Sequence, residues 1–434
     1  MLMTDIIAKK RDRKELTAEE IKFFVNGVTV GSIPDYQVSA LLMAVYLNGL
    51  NERETVDLTV AMAESGDMLD LSPLGDKTVD KHSTGGVGDK TTLICGPIAA
   101  ALGCKVAKMS GRALGHTGGT VDKLESIDGY KTSISSNELI SIAKKYGICI
   151  VGHSGNFAPA DKKIYALRDV TFTIESIPLI ASSIMSKKLA AGAKNILLDV
   201  KFGSGAFMKT AKQAEILALE MVKIGKSAGR KTAAIITDMD IPLGKYIGNA
   251  LEIKEACEIL KGGGDERLKE LCITLAASMY SICFNASKVQ AFAAAKETLA
   301  DGSAFEKLRD AVAALGGDTK LLTGERDFPA PQDEQQIFAT NSGYISAINS
   351  ELVGKSAALS GAGRETLNER IDFSAGIILN KQYGEYVNKG ETLATVYGKK
   401  EKLAEATSVL NKAYKITNTK PPERPLVYKY IGEV

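Results

Sequence analysis

The sequence predicts an α/β protein: a small all-helical domain, a large domain with a mostly parallel sheet, and a β-rich C-terminal domain. Two observations carry this prediction. From about residue 75, short β-rich runs alternate with amphipathic helical stretches, which is typical of a parallel sheet with right-handed helical crossovers. Outside that region, helical spacing of apolar residues dominates the first part of the chain, and strands separated by glycine turns dominate the last.

The first 65 or so residues carry the start signals of several helices. Thr17 and Glu20 have the spacing of a capping box, which closes the first turn of a helix, and Asn51 repeats it with Glu54. Pro34 stands where the first turn of a helix tolerates proline, ahead of the run DYQVSALLMAVYLNGL. The apolar faces that such a bundle exposes would suit packing on another domain or on a second subunit.

The middle of the chain has the alternating pattern in the runs KTVDKH, TTLICGPIAAALG, KVAKMS, NILLDVKFG, AEILALEMVKIGKSAG and TAAIITDMD. In such sheets, ligands bind in the loops that follow the carboxyl ends of the strands. Residues 265–315 are predicted to be helical, and β-rich sequence begins at about residue 335. There the segment GEYVNKGETLATV resembles the hairpins of lipoyl-like sandwich domains, and we expect it to form a structural cap.

Composition excludes several classes of function. The chain has 54 Lys and Arg against 52 Asp and Glu, so it has no electrostatic footprint for nucleic acid or for an anionic membrane. The first residues lack the apolar core of a signal peptide, and no apolar run reaches the roughly 18 residues of a membrane span. Six scattered cysteines without a CxxC pair are expected to be buried thiols in a reducing, cytoplasmic environment.

A first glycine-rich run, DKHSTGGVGDKTT, follows a predicted strand and precedes a helix predicted from about Thr91. Its three glycines let main-chain amides approach an anion, and the helix N-terminus adds to the attraction. Lys81 contributes a charge, and Ser83 and Thr92 contribute hydroxyl groups. The run matches neither of the usual nucleotide-binding motifs, and taken alone it is equally compatible with a plain tight turn.

A second run, KMSGRALGHTGGTVDKLE, again places glycines, hydroxyls and basic residues after a short strand. Two such loops about 30 residues apart, each after a strand, predict one small anion-binding cleft at neighbouring strand ends.

The run SGRALGHTGGTVDKLE resembles the signature of the thymidine and pyrimidine-nucleoside phosphorylases, and KHSTGGVGD resembles their phosphate loop. The likeness continues through RDVTFTIESIPLIASSIMSKKLAAG and MDIPLGKYIGNALEIKEA and covers nearly the whole chain. It implies a helical domain over residues 1–70, completed by helices from about 160–193. It also implies an α/β domain from residues 75–155 and 195–330, an α+β domain over residues 335–434, and a homodimer formed through the helical domain.

The resemblance assigns roles to individual residues. Those implied to bind phosphate are Lys81, Ser83, Thr92, Lys108, Met109, Ser110 and Thr120. Those implied to contact the nucleoside are Lys108, Tyr165, Arg168, Ser183 and Lys187. Without the resemblance, Arg168 and Lys187 would be interpreted as surface charges. Ser183 and Lys187 lie four residues apart, so on a helix they share one face.

His82 lies inside the first anion loop, and an ordinary histidine pKa near ~6.5 would let it donate a proton or a hydrogen bond to the base. We therefore predict His82, Arg168 and Lys187 as catalytic, and His116 and His153 as structural. Lys108 stands where thymidine-restricted relatives have methionine. A lysine beside the ribose can engage a 2′-hydroxyl, so uridine is expected to be accepted along with thymidine.

The resemblance also implies potassium, held near Gly88, position 90, Leu243, position 246 and Glu255. Here position 90 is Lys90 where relatives have threonine, and position 246 is Tyr246; an ammonium group at that place would compete with the ion.

The implied activity is reversible phosphorolysis of uridine, thymidine and deoxyuridine by a pentosyltransferase without an organic cofactor and with phosphate as co-substrate. The alternatives are a thymidine-restricted phosphorylase, a phosphoribosyltransferase of the anthranilate type that needs magnesium and a diphosphate site, and a non-catalytic nucleoside-binding or partner-binding protein.

Overall fold

The computed structural model describes residues 1–113, 118–153, 155–364 and 369–433. Its architecture is the predicted one: a small helical N-terminal domain, a large α/β domain with a mostly parallel sheet, and a β-rich C-terminal domain. The part of the chain described here contains no helix with the length and apolar character that crossing a membrane requires.

Four helices open the chain: α1 Met3–Arg11, α2 Ala18–Val30, α3 Asp35–Asn48 and α4 Glu52–Ala63. Both predicted capping boxes are present. The Glu20 N–H donates to Thr17 Oγ1 at 3.2 Å, and the Glu54 N–H donates to the Asn51 side chain at 2.9 Å. Pro34 is the residue immediately before α3, so its fixed φ aims the chain into the helix without removing a helical hydrogen bond.

The α/β domain begins with β1 Val79–Ser83, α5 Thr91–Ala101, β2 Val106–Ser110, α6 Thr120–Leu124, α7 Ser136–Tyr146 and β3 Ile148–Gly152. Two helices, α8 Pro159–Val170 and α9 Ile177–Ala190, then leave the sheet. They pack against the N-terminal helices, and Ile164 and Leu179 are buried in the core of that bundle. The chain therefore crosses from the α/β domain back to the helical domain. The two helices of this excursion, α8 and α9, carry Arg168, Ser183 and Lys187.

The chain returns to the α/β domain with β4 Asn195–Phe202, α10 Ala211–Ser227, β5 Lys231–Asp238, β6 Tyr246–Ile247, α11 Asn249–Leu260, α12 Glu266–Phe284, α13 Lys288–Ala300, α14 Ser303–Ala314 and α15 Lys320–Thr323. Strands β1, β4 and β5 are parallel neighbours, and β2 pairs with β3 in parallel. A parallel bridge between Thr78 and Lys105 connects the starts of β1 and β2. The carboxyl ends of β1, β2 and β3 therefore point to the same edge.

The remaining elements are β7 Asp333–Phe338, β8 Gly343–Ile348, α16 Ser350–Ala357, β9 Gly376–Leu379, β10 Tyr386–Val387, β11 Thr392–Gly398, α17 Lys400–Asn411, β12 Tyr414–Thr417 and β13 Val427–Ile431. One sheet has the order β10-β8-β12 and the other β6-β9-β11-β7, and the two share an apolar core that includes Ile345, Ile377 and Val396. Strands β10 and β11 lie in different sheets, so GEYVNKGETLATV links two layers and does not form a hairpin.

The last strand, β13, departs from the predicted division into domains, which placed residues 335–434 in the C-terminal domain. It pairs antiparallel with β5 and so belongs to the sheet of the α/β domain. Arg424 holds this segment in place because its guanidinium forms ion pairs with Asp238 at 3.0 Å and Asp240 at 2.6 Å. The strand thereby covers the edge of β5, whose backbone groups need partners.

Candidate active site

A cavity of about 450 Å³ opens at the carboxyl ends of β1 and β2 and faces α8 and α9. Both glycine-rich loops reach it, as the sequence predicts. Most of the predicted site residues line it: His82, Ser83, Thr92, Lys108, Met109, Ser110, Thr120, Tyr165, Arg168, Ser183 and Lys187. Lys81 and the five residues of the predicted cation site are not among the lining residues, for reasons that their contacts explain.

Lys81 is a predicted phosphate ligand that the structure turns away from the cavity. Successive side chains on a strand point to opposite faces, and the Lys81 side chain leaves β1 on the face opposite to His82. The buried Lys81 ammonium donates to Thr91 Oγ1 at 2.5 Å and lies 3.2 Å from the Asp199 carboxylate. In the free protein Lys81 therefore binds groups of the protein itself, and its contact with phosphate stays a prediction.

Asp89 organises the first glycine-rich loop, although the sequence analysis did not single it out. Its carboxylate accepts hydrogen bonds from Ser83 Oγ and Thr91 Oγ1, each at 2.5 Å. Burial would raise the pKa of Asp89, but Lys201 and Lys81 outweigh that effect and hold it well below its usual range. Since Ser83 gives its only hydroxyl proton to this carboxylate, it can donate to a phosphate oxygen only if that bond is released.

The second loop contributes Ser110, the last residue of β2, and Thr120, the first residue of α6. Arg112 also lines the cavity; its guanidinium is paired with Glu125 at 2.6 Å and with Asp122 at 3.0 Å. His116, predicted to be structural, lies outside the described residues.

A buried carboxylate on β1 joins two cavity-lining lysines. Asp80 accepts from Lys108 Nζ at 2.9 Å and from Lys188 Nζ at 2.7 Å. Burial would raise the pKa of Asp80, but the two ammonium groups hold it below its usual range. Burial lowers the pKa of Lys108 to about 8, against the opposing effect of Asp80 and with Lys188 adding to the shift. Lys108 therefore changes charge close to neutral pH.

His82 is partly buried, and its Nε2 finds neither solvent nor a hydrogen-bond partner among the described residues. Burial, together with Lys188 and Lys108, lowers its pKa well below the ordinary value. The expectation of an ordinary pKa is therefore wrong: in the free protein the imidazole is neutral near pH 7. His153, predicted to be structural, also lines the cavity, and burial lowers its pKa to about 4.

Arg168 on α8 is buried, and three main-chain carbonyls hold its guanidinium. It donates to Thr173 O at 3.2 Å, Leu179 O at 3.0 Å and Ile174 O at 2.6 Å. An arginine has five N–H donors, so two remain for a ligand. Burial lowers the pKa of Arg168 to about 10, which leaves it charged at neutral pH.

Tyr165, Ser183 and Lys187, which are also predicted nucleoside contacts, lie with Arg168 on α8 and α9. Lys187 and Ser183 share one face of α9, as predicted, and Lys187 Nζ lies 3.1 Å from Ser183 Oγ. Lys187 also forms an ion pair with Asp161 at 2.5 Å. The ring centroid of Tyr165 lies 5.8 Å from the Arg168 guanidinium carbon. Ile180, Ile184 and other apolar side chains complete a wall suited to a flat ring.

The predicted cation-site residues do come together, but around an ammonium group of the protein itself. Lys90 Nζ donates to Leu243 O at 2.9 Å, to Tyr246 O at 2.8 Å and to the Glu255 carboxylate at 2.6 Å. The Gly88 carbonyl accepts from the Lys90 main-chain N–H at 2.9 Å. With these oxygens already bound to Lys90, the residues do not fit a potassium ion. Elsewhere in the described ranges, no cluster of three or more His, Cys, Asp or Glu suits a metal.

The site residues that sequence reasoning missed are Asp80, Asp89, Arg112, His153 and Lys188. Some signals were present. Asp80 is two residues before His82, so strand alternation predicts one shared face, and Asp89 and Arg112 lie inside the two glycine-rich runs. The pairing of Asp80 with Lys188 joins residues 108 positions apart and left no local signal.

The arrangement matches known protein families. Residues 75–305 match the family model of the glycosyl transferase family α/β domain, and residues 4–66 match that of its helical bundle domain. The fold and the cleft between these domains therefore define a glycosyl transferase. Residues 344–417 match the pyrimidine nucleoside phosphorylase C-terminal domain.

Relatives match over the full length. The chain is 50% identical over 433 residues to a pyrimidine-nucleoside phosphorylase of Geobacillus stearothermophilus, covering 100% of both chains. It is 51% identical over 415 residues to that of Bacillus subtilis (strain 168), covering 95% of each. The chain belongs to the pyrimidine-nucleoside phosphorylase family. The structure of anthranilate phosphoribosyltransferase from Thermus thermophilus superposes with a TM-score of 0.58 at 20% identity, covering 71% of this chain and 98% of that one, which shows a shared fold.

Proposed function

We propose that this protein is a pentosyltransferase that splits the N-glycosidic bond of pyrimidine nucleosides with inorganic phosphate. Its products are the free base and the α-1-phosphate of ribose or deoxyribose, and the reaction is reversible. The observation that carries this proposal is a single cavity with two chemically different ends. Ser110 at the end of β2 and Thr120 at the start of α6 offer hydroxyl groups on one side, and Arg168, Ser183 and Lys187 project from the opposing helices.

At the strand ends, phosphate binds beneath C1′ of the sugar. Ser110, Thr120 and Thr92 offer hydroxyl donors, and Lys108 and Lys188 add positive charge nearby. The bound anion balances the positive charge that builds on the sugar in an oxocarbenium-like transition state. One phosphate oxygen then forms the bond to C1′ as the C1′–N bond breaks, with inversion at C1′ and no covalent enzyme intermediate.

At the helical end, the departing pyrimidine takes the electron pair of the broken bond and becomes negative. The two unassigned N–H donors of Arg168 and the Lys187 ammonium meet this charge. His82, neutral in the free protein, contributes a hydrogen bond to a base carbonyl. Closure of the helical domain on the α/β domain would align the reactants and exclude water.

The test is an assay of base release from uridine, thymidine, deoxyuridine and cytidine, with and without phosphate. We expect phosphate-dependent release of uracil and thymine. Release that requires phosphoribosyl diphosphate and magnesium would instead support the phosphoribosyltransferase alternative. Ligand-induced thermal stabilisation without any base release would support a binding protein.

The proposal includes a homodimer formed through the helical domain and a cytoplasmic location. Tyr36, Met43 and Leu47 of α3 are exposed and recur at helical spacing, so they form an apolar stripe on one face. All six cysteines are buried free thiols, which suits a reducing compartment.

The test of the dimer is sedimentation equilibrium of the wild type and of Leu47→Glu. We expect a dimer for the wild type and a monomer for the variant. A wild type that stays monomeric at micromolar concentration would contradict this part of the proposal.

A further inference from the structure

Lys90 makes a contact that the proposed reaction does not use. Its side chain is wholly buried outside the cavity and carries a charge that burial alone would disfavour. Burial would lower its pKa, but Glu255 and Glu252 outweigh that effect and raise it above the ordinary value. The group is therefore a permanent cation inside the protein.

The oxygens around this cation match its bonding capacity. An ammonium has three N–H donors, and Lys90 Nζ reaches three acceptors: Leu243 O, Tyr246 O and Glu255 Oε2. The Glu255 carboxylate is fixed in turn, because it accepts from the Lys245 N–H at 2.7 Å and the Tyr246 N–H at 3.1 Å. The shell is one of main-chain and carboxylate oxygens, the donors that hard metal cations take.

The backbone on both sides is shaped for close approach. Gly88 has φ of +69°, and a Cβ there would lie 2.4 Å from Leu243 O. Gly244 has φ of +73°, and a Cβ there would lie 2.4 Å from the Glu255 carboxylate. The Leu243 N–H donates to Val87 O at 3.0 Å, so the two segments are also joined directly.

We infer that the Lys90 ammonium takes the place of a monovalent metal ion, joins the first glycine-rich loop to the segment 243–246, and makes the protein independent of potassium. The joined elements reach the cavity, because Lys90 lies between Asp89 and α5, whose Thr92 lines it. The same segment leads into β6, which pairs with β9 of the C-terminal domain. Lys90 is thus a positioning residue that holds the phosphate side of the site.

The experiment compares three proteins in equal concentrations of potassium, sodium and tetramethylammonium chloride. They are the wild type, Lys90→Thr, and Lys10→Thr as a matched control. Lys10 is another buried lysine, paired with Glu54 at 2.9 Å in the helical domain and absent from the lining of the cavity. Threonine at position 90 frees the space of the lysine side chain and supplies a hydroxyl oxygen to the same shell.

The first measurement is the Tm, which needs no substrate, so its outcome does not depend on the proposed function. We expect the wild-type Tm to be the same in the three salts. Lys90→Thr should have a Tm several degrees lower in tetramethylammonium and should regain it as potassium rises, because an ion that binds only the folded state stabilises it by mass action. Lys10→Thr should be destabilised equally in all three salts.

The second measurement rests on the proposed function: the KM for phosphate of Lys90→Thr should fall as potassium rises, and that of the wild type should not change. A wild-type Tm that rises specifically with potassium would overturn the inference, even if Lys90→Thr failed to fold. A folded Lys90→Thr whose Tm is insensitive to potassium would overturn it as well, since Lys90 would then be an ordinary buried ion pair.

Discussion

The cationic side chains on the two walls of the cavity have different partners. On the strand-end wall, Lys108 shares the Asp80 carboxylate with Lys188 of α9, and Arg112 is paired with acidic neighbours. On the helical wall, Lys187 is paired with Asp161, but Arg168 is held by three neutral carbonyls. Among the residues that the structure describes, no carboxylate forms an ion pair with Arg168.

This difference indicates which cationic side chains stabilise the negative charge that develops in the transition state. Cations already paired with carboxylates are oriented and partly neutralised, so they position an anion that is present throughout. A guanidinium fixed by neutral dipoles keeps its full charge and needs no reorganisation when negative charge appears beside it. We therefore expect Arg168 on the helical wall to contribute most to transition-state stabilisation, and the strand-end wall to contribute more to ground-state binding.

The largest effect is expected for Arg168→Ala. Loss of its unneutralised charge and two unassigned donors should lower kcat/KM for phosphorolysis roughly 10³-fold, mostly through kcat. The measurement is steady-state kinetics on uridine, with circular dichroism to verify folding. Lys162→Ala is the matched control, because Lys162 is an exposed lysine on the same helix. Near-normal turnover by a folded Arg168→Ala would reverse our assignment of the two walls.

A smaller loss, about 10²-fold in kcat, is expected for His82→Asn, which removes the imidazole next to the paired lysines. The lowered pKa of His82 adds a second readout. In nuclear magnetic resonance spectra of the ligand-free wild type, the His82 signal is the one that is missing from the His82→Asn spectrum. Its chemical shift should not change between about pH 5.5 and 7.5, where an unperturbed histidine would titrate. A midpoint near the ordinary histidine value would contradict the neutral imidazole.

The smallest effect concerns Lys108 and the choice of sugar. Its ammonium is proposed to donate to the ribose 2′-hydroxyl, and the lowered pKa of about 8 means that the proton is present below that pH and lost above it. The ratio of kcat/KM for uridine to that for 2′-deoxyuridine should therefore fall as pH rises through about 8. Because the ratio compares two substrates of the same protein, ionisations that affect both reactions equally cancel.

Lys108→Met serves as the control for this pH dependence. It should lower the ratio about tenfold at neutral pH, the effect of one lost charge-assisted hydrogen bond, and make it constant with pH. A wild-type ratio that stays constant with pH would separate Lys108 from sugar recognition.

The sequence was sufficient for the features that local chemistry specifies. Capping boxes, glycine turns and helical spacing predicted the three domains and both loops at the cavity. It was insufficient where a side chain's environment depends on distant residues. The pKa of His82 depends on Lys188, which lies on α9, and the direction of the Lys81 side chain depends on Asp199, which lies on β4. The pairing of β13 with β5 likewise joins residues 190 to 197 positions apart, from Val427 with Thr237 to Ile431 with Ala234.

That pairing has a consequence for how the chain reaches its native state. Among the described residues, the edge of β5 is covered by β13, which follows the C-terminal domain in sequence. During synthesis, the α/β sheet therefore carries an open, apolar edge until residues near 430 have left the ribosome, and open edges invite pairing with other chains. Nonsense or frameshift products that end before Arg424 should therefore accumulate as aggregates even though every residue that lines the cavity precedes that point.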